Sequence, residues 1–94
     1  MLLPEYLVPV LETLRRAFPE GVSDEDYLPL LVVLREGLSE GNLALVVAEL
    51  MDDEIVVIDN DAAAAVSVRR PPAAEVQRLR DRLIASGWVP DELP

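Results

Sequence analysis

Five apolar residues in a row, Leu30-Leu31-Val32-Val33-Leu34, lie between two turn signals and constrain the fold more than any other feature. No face of such a segment suits water, so it is a buried strand or a helix covered on most sides. The flanks decide. Ser23 precedes Asp24-Glu25-Asp26, a capping hydroxyl followed by carboxylates where the helix dipole favours them. This predicts a helix over 24–36, with Asp24–Leu28 as a tight opening turn, regular helix from about Pro29, and Gly37 as terminator. Ser39 caps the next helix, 40–52, in which Leu43, Val46, Val47, Leu50 and Met51 recur at three- and four-residue steps. Residues 19–50 therefore form a buried centre that the rest of the chain covers.

The covering elements carry the same periodicity. Leu7, Val8, Leu11, Leu14 and Phe18 predict a first helix over 5–17, with Pro9 near its start, Pro19 as its stop and a Glu12–Arg16 pair on its surface. Pro71-Pro72 opens the last helix, 73–86, whose buried stripe is Val76, Leu79, Leu83 and Ile84. Arg78 and Arg82 lie one turn apart there, with Glu75 and Asp81 in range. Gly87 ends that helix and lets Trp88, the single tryptophan, fold back as a plug over Leu83 and Ile84, with Leu11, Leu14 and Phe18 as company. Pro90–Pro94 is a polar tail.

The segment from Asp52 to Arg70 admits two readings. Ile55–Ile58 and Val66–Val68 could be the strands of a hairpin turning at Asp59-Asn60-Asp61, which after three helices would make a winged helix. Alternatively Asp59 caps a short helix over 59–67, and Ile55–Ile58 is an extended, buried connection. The run Ala62–Ala65 favours the helix, since alanine is the best helix former and a poor strand residue.

Composition narrows the function. The 94 residues suit one domain, and no linker or repeat divides them. There is no histidine and no cysteine, so the commonest general base, the commonest metal ligand and all thiol chemistry are absent. All eight basic residues are arginine, and the formal charge is −10. Such a chain repels nucleic acid and anionic membranes, and its acidity keeps it soluble or suits a basic partner. The N-terminus has no positive region and no cleavage site, and no apolar run reaches the roughly 20 residues a membrane span needs, so a cytoplasmic location is expected.

Five carboxylates, Asp52, Asp53, Glu54, Asp59 and Asp61, fall within ten residues. Laid on a calcium loop they lack both the required glycine and the bidentate glutamate, so a solvated helix end explains them and no metal is expected. The serines and Thr13 all have helix-end or surface readings, which leaves no nucleophile or catalytic residue to nominate. Pro29–Arg35 and Ser39–Asp52 could form a helix-turn-helix. The second would then show Glu40, Asn42, Glu49 and Asp52 to the groove, of which only Asn42 reads bases. Arg69 and Arg70, with Arg78 and Arg82, are the one basic concentration; it could dock an acidic partner, but pairing with the acidic segment of the same chain is the preferred reading.

The residues also resemble a family. Leu14-Arg15-Arg16-Ala17-Phe18-Pro19-Glu20-Gly21-Val22, then Asp26-Tyr27-Leu28-Pro29-Leu30-Leu31, then Leu34-Arg35 and Leu38-Ser39, and finally Arg78–Leu83 with Gly87-Trp88, are similar to the actinobacterial domain-of-unknown-function family 3349. The likeness spans nearly the whole chain. It implies an all-α compact bundle of about five helices, supports the helical reading of 59–67, and implies no activity. Asn42, Glu36 and Pro72 depart from the pattern at helix starts and ends.

The expectation is thus an all-α, single-domain, non-catalytic cytoplasmic protein, monomeric, without cofactor, membrane or nucleic-acid ligand. It would act as an interaction or regulatory module for a protein partner. The alternative is a degenerate helix-turn-helix or winged-helix DNA-binding regulator, with a small hydrolase further off. Asp52, Asp53, Glu54, Arg69, Arg70 and Trp88 are the candidate partner surface.

Overall fold

The breaker residues divide the chain into a turn of 3-10 helix, Glu5–Leu7, and five α-helices: α1 (Val8–Ala17), α2 (Asp24–Leu34), α3 (Glu40–Met51), α4 (Ile55–Ala65) and α5 (Ala73–Ala85). This computed structural model describes residues 3–89, and no strand occurs among them. α3 packs on α4 and on α1, α2 packs on α5 and on α4, and α1 also meets α5. The radius of gyration is 12.0 Å, close to the ~12 Å of a single compact body of this length.

The central helices start as their caps dictate. The Ser23 hydroxyl accepts the Asp26 N–H at 3.3 Å, and the Ser39 hydroxyl accepts the Asn42 N–H at 3.2 Å. α2 begins at Asp24, not near Pro29: Pro29 lies inside the helix. Its missing N–H would have bonded the carbonyl of the exposed Glu25, which water can serve instead. α2 also ends at Leu34, short of residue 36. Gly37 is absent from the positive-φ residues, so no left-handed stop is used there. Leu30, Leu31, Val33 and Leu34 are fully buried, with Leu43, Val46 and Val47 of α3.

The largest departure from the sequence reading is α4. Ile55–Ile58 is not an extended buried connection but the first turn of the helix. Asp59 is an exposed mid-helix residue, not a cap, and Glu54 takes the capping position without a side-chain bond. Burial follows Ile58, Ala62 and Ala65, spaced by four and three residues. Ile55, Val56 and Val57 therefore turn outward. The helix ends at Ala65, so the C-terminal bound of 67 and the hairpin both give way.

Two smaller corrections concern the outer helices. Val10, not Val8, completes the buried face of α1, because it lies three residues from Leu7 and four from Leu14 on the same stripe, while Val8 sits off it. Ile84 is exposed while Leu83 is buried. The end of α5 forms a paired hydrogen-bond closure, Trp88 N–H to Leu83 O at 2.9 Å and Gly87 N–H to Ile84 O at 3.1 Å, around Gly87 at φ 107°. That closure carries Trp88 into the core, where it is 3% exposed. The Pro90–Pro94 tail lies outside the described residues.

Arginines lock the α1 and α5 ends together. Arg82 Nε donates to Ala17 O at 2.9 Å, and Arg16 Nε donates to Ser86 O at 3.3 Å. Each cation sits on the other helix's C-terminal carbonyls, the favoured end of the dipole. Arg16 Nη2 also donates to Thr13 Oγ1, a local bond in place of the expected Glu12 pair.

Candidate functional site

The six expected surface residues do not form one surface. Asp52, Asp53 and Glu54 make the exposed corner between α3 and α4, whereas Arg69 and Arg70 follow the far end of α4. Eleven residues of helix separate them, about 16 Å of rise. Trp88 belongs to neither place, because the turn at Gly87 buries it.

The corner is built by a local device. Asp52 ends α3 in the left-handed region, φ 53° and ψ 48°, and the N–H groups of both Asp52 and Asp53 reach Ala48 O. Aspartate tolerates this conformation better than most side chains. The chain then reverses, and Asp53 Oδ1 accepts the Glu54 N–H at 2.8 Å before α4 begins. The reversal places Ile58 on the core and leaves the residues before it outside. Ile55, Val56 and Val57 are exposed, Val56 to 60%. Asp52, Asp53, Glu54 and Asp59 rim them and enter no salt bridge among the described residues.

The three apolar residues are the part of this corner that sequence reasoning missed. Four β-branched residues in a row read as buried extended chain. The signal against that reading was the helical spacing of Ile58, Ala62 and Ala65, which leaves 55–57 off the core face.

Several polar groups elsewhere are engaged internally. Asp26, 8% exposed, accepts Arg78 Nη2 at 2.7 Å and Arg82 Nη1 at 3.4 Å, and the Arg82 guanidinium lies 4.4 Å from the Phe18 ring centre. The expected partners of these arginines, Glu75 and Asp81, form no salt bridge with them. Hydrogen bonding to Asp26 raises the Arg78 pKa above its ordinary value. Arg80 is held by both Glu36 oxygens, and that bonding raises its pKa as well. Tyr27 donates to Asp61 Oδ2 at 2.7 Å, while Asp61 Oδ1 lies 3.9 Å from Arg69. Burial first, and then the Asp61 bond, push the Tyr27 phenol well above its ordinary value. Arg69 thus meets the acidic segment through Asp61, while Arg78 and Arg82 turn to α2 instead.

No three acidic side chains among the described residues converge as metal ligands, and no described helix is long and apolar enough to cross a membrane. α3 exposes Glu40, Gly41 and Glu49, while Asn42 Oδ1 accepts the Tyr6 hydroxyl at 2.9 Å. Its single base-reading side chain is already engaged, and its open face is acidic.

The family model of DUF3349, described as a protein of unknown function, matches residues 5–92. The chain belongs to the DUF3349 family. No curated protein and no solved structure matches the chain. Family membership carries no assigned activity.

Proposed function

We propose that this DUF3349 member is a non-catalytic interaction module whose α3–α4 corner docks a basic protein segment carrying an apolar side chain. One observation carries the reading: three consecutive large apolar residues, Ile55, Val56 and Val57, stand exposed inside a rim of four carboxylates that form no salt bridge among the described residues. An apolar centre within a charged rim is the anatomy of a small protein interface. Here the rim has one sign, so lysines or arginines on the partner complement it and speed its arrival. The protein is placed in the cytoplasm as a monomer, and the charge of −10 favours the monomer, since two copies repel each other. The absence of histidine, cysteine and lysine supports a binding role over a catalytic one. The acidic open face of α3 weighs against the DNA-binding alternative.

The test is capture from native lysate on immobilised protein, with Val56→Asp as control. That change adds charge at an exposed site and leaves the core intact. A basic protein retained by the native chain and lost with Val56→Asp is the expected result. Equal retention by both chains overturns the assignment of this corner.

A further inference from the structure

A second site lies on other elements. A cleft of about 360 Å³ opens between α2, the Arg70–Pro71 link and α5, within the ~300–1,000 Å³ range of small-molecule sites. Val32, Pro71, Ala73 and Val76 form its apolar wall, and Arg70, Gln77 and Arg80 its polar part. In a chain with 18 acidic and eight basic residues, two of the three polar lining residues are cationic and none is acidic. The local charge is opposite to that of the molecule.

The two arginines differ in state. Arg80 is immobilised: Nε and Nη2 bond the Glu36 carboxylate, and Nη1 bonds Gln77 Oε1. Arg70 makes no salt bridge among the described residues, so its guanidinium is the group available to a ligand. α5 adds to this polarity. It starts at Ala73 behind Pro72, which offers no side-chain cap, so the positive end of the helix borders the cleft.

We propose that this cleft binds a small amphipathic monocarboxylate, with the carboxylate on Arg70 and the hydrocarbon body against Val32, Pro71 and Val76. A planar guanidinium matches a carboxylate through two parallel hydrogen bonds. One uncommitted cation balances one negative charge, and the surrounding field of a strongly acidic chain penalises a dianion such as phosphate more heavily. The apolar wall requires a hydrocarbon body, which inorganic anions lack. The site is independent of the α3–α4 corner, so the two assignments fail separately.

Titration of the full ¹⁵N-labelled chain with hexanoate tests it, with neutral hexanamide and the variant Arg70→Gln as controls. Hexanoate should give saturable shifts at the amides of Arg70, Ala73, Ala74 and Gln77, and hexanamide should not. Arg70→Gln should keep the native spectrum and weaken hexanoate by about tenfold or more, the loss expected of a hydrogen bond to a charged group. Val56→Asp should leave hexanoate binding unchanged. No saturable shift, equal shifts with hexanamide, or undiminished binding by Arg70→Gln would each overturn the proposal.

Discussion

Two runs of three consecutive carboxylates precede or open helices in this chain, and they end in opposite situations. Asp24-Glu25-Asp26 opens α2, and Asp52-Asp53-Glu54 leads into α4. In the first, Asp26 is buried and receives two arginines from α5, 52 and 56 residues away. In the second, every carboxylate is exposed and none meets a cation among the described residues. The same local pattern therefore serves once as an internal clamp and once as an open face. What separates them is which helix packs opposite: α5 brings Arg78 and Arg82 to α2, while α3 brings apolar residues to α4 and no cation.

Removing Trp88 should produce the largest effect and sharpen this contrast. Its burial beside the end of α5 holds the helix that carries both clamping arginines. Trp88→Ala should cost ~3–5 kcal/mol, toward the lower end, because the buried indole N–H has no acceptor among the described residues. Chemical denaturation measures the loss. Amide exchange should show it spreading to Asp26 and not to Asp53. Faster exchange at both places alike would break the distinction.

Asp26→Ala tests the clamp itself. The two arginines remain half in water, so the loss should fall toward the lower end of the ~1.5–3 kcal/mol typical of hydrogen bonds to charged groups. Asp53→Ala should stay within about 0.5 kcal/mol, as for an exposed site. A comparable loss from both substitutions would show that the two runs are not different in kind.

Among the internal contacts, the smallest effect belongs to Tyr27, which joins the start of α2 to α4 through Asp61. Its folded pKa is raised above the unfolded value of ~10. The folded state therefore keeps a proton that the unfolded state has lost above that pH. The stabilisation is complete below pH ~10 and declines as pH rises through the alkaline range above it. Solvent screening keeps this contribution under about 1 kcal/mol, since the phenol is only part-buried. Absorbance at 295 nm should show a late-ionising tyrosine that Tyr27→Phe removes and Asp61→Asn brings to lower pH. An unchanged titration in Asp61→Asn would sever the link to α4.

By itself, the sequence determined the all-α bundle, the capped starts of α2 and α3, and the glycine turn that brings Trp88 inward. Each depends on residues three to seven positions apart, so local chemistry decides it. The start of α4 did not follow from local chemistry. Ile55–Ile58 has the composition of a strand, and it became helix because the left-handed turn at Asp52 aims Ile58, Ala62 and Ala65 at the core together. That same packing exposes Ile55–Val57, so the proposed docking face was hidden for the same reason. The partners of Arg78 and Arg82 were equally out of reach. Glu75 and Asp81 are near in sequence, but the arginines reach Asp26 because α5 lies across α2. Nearness along the chain does not decide which charges meet when two helices pack; only the tertiary structure does.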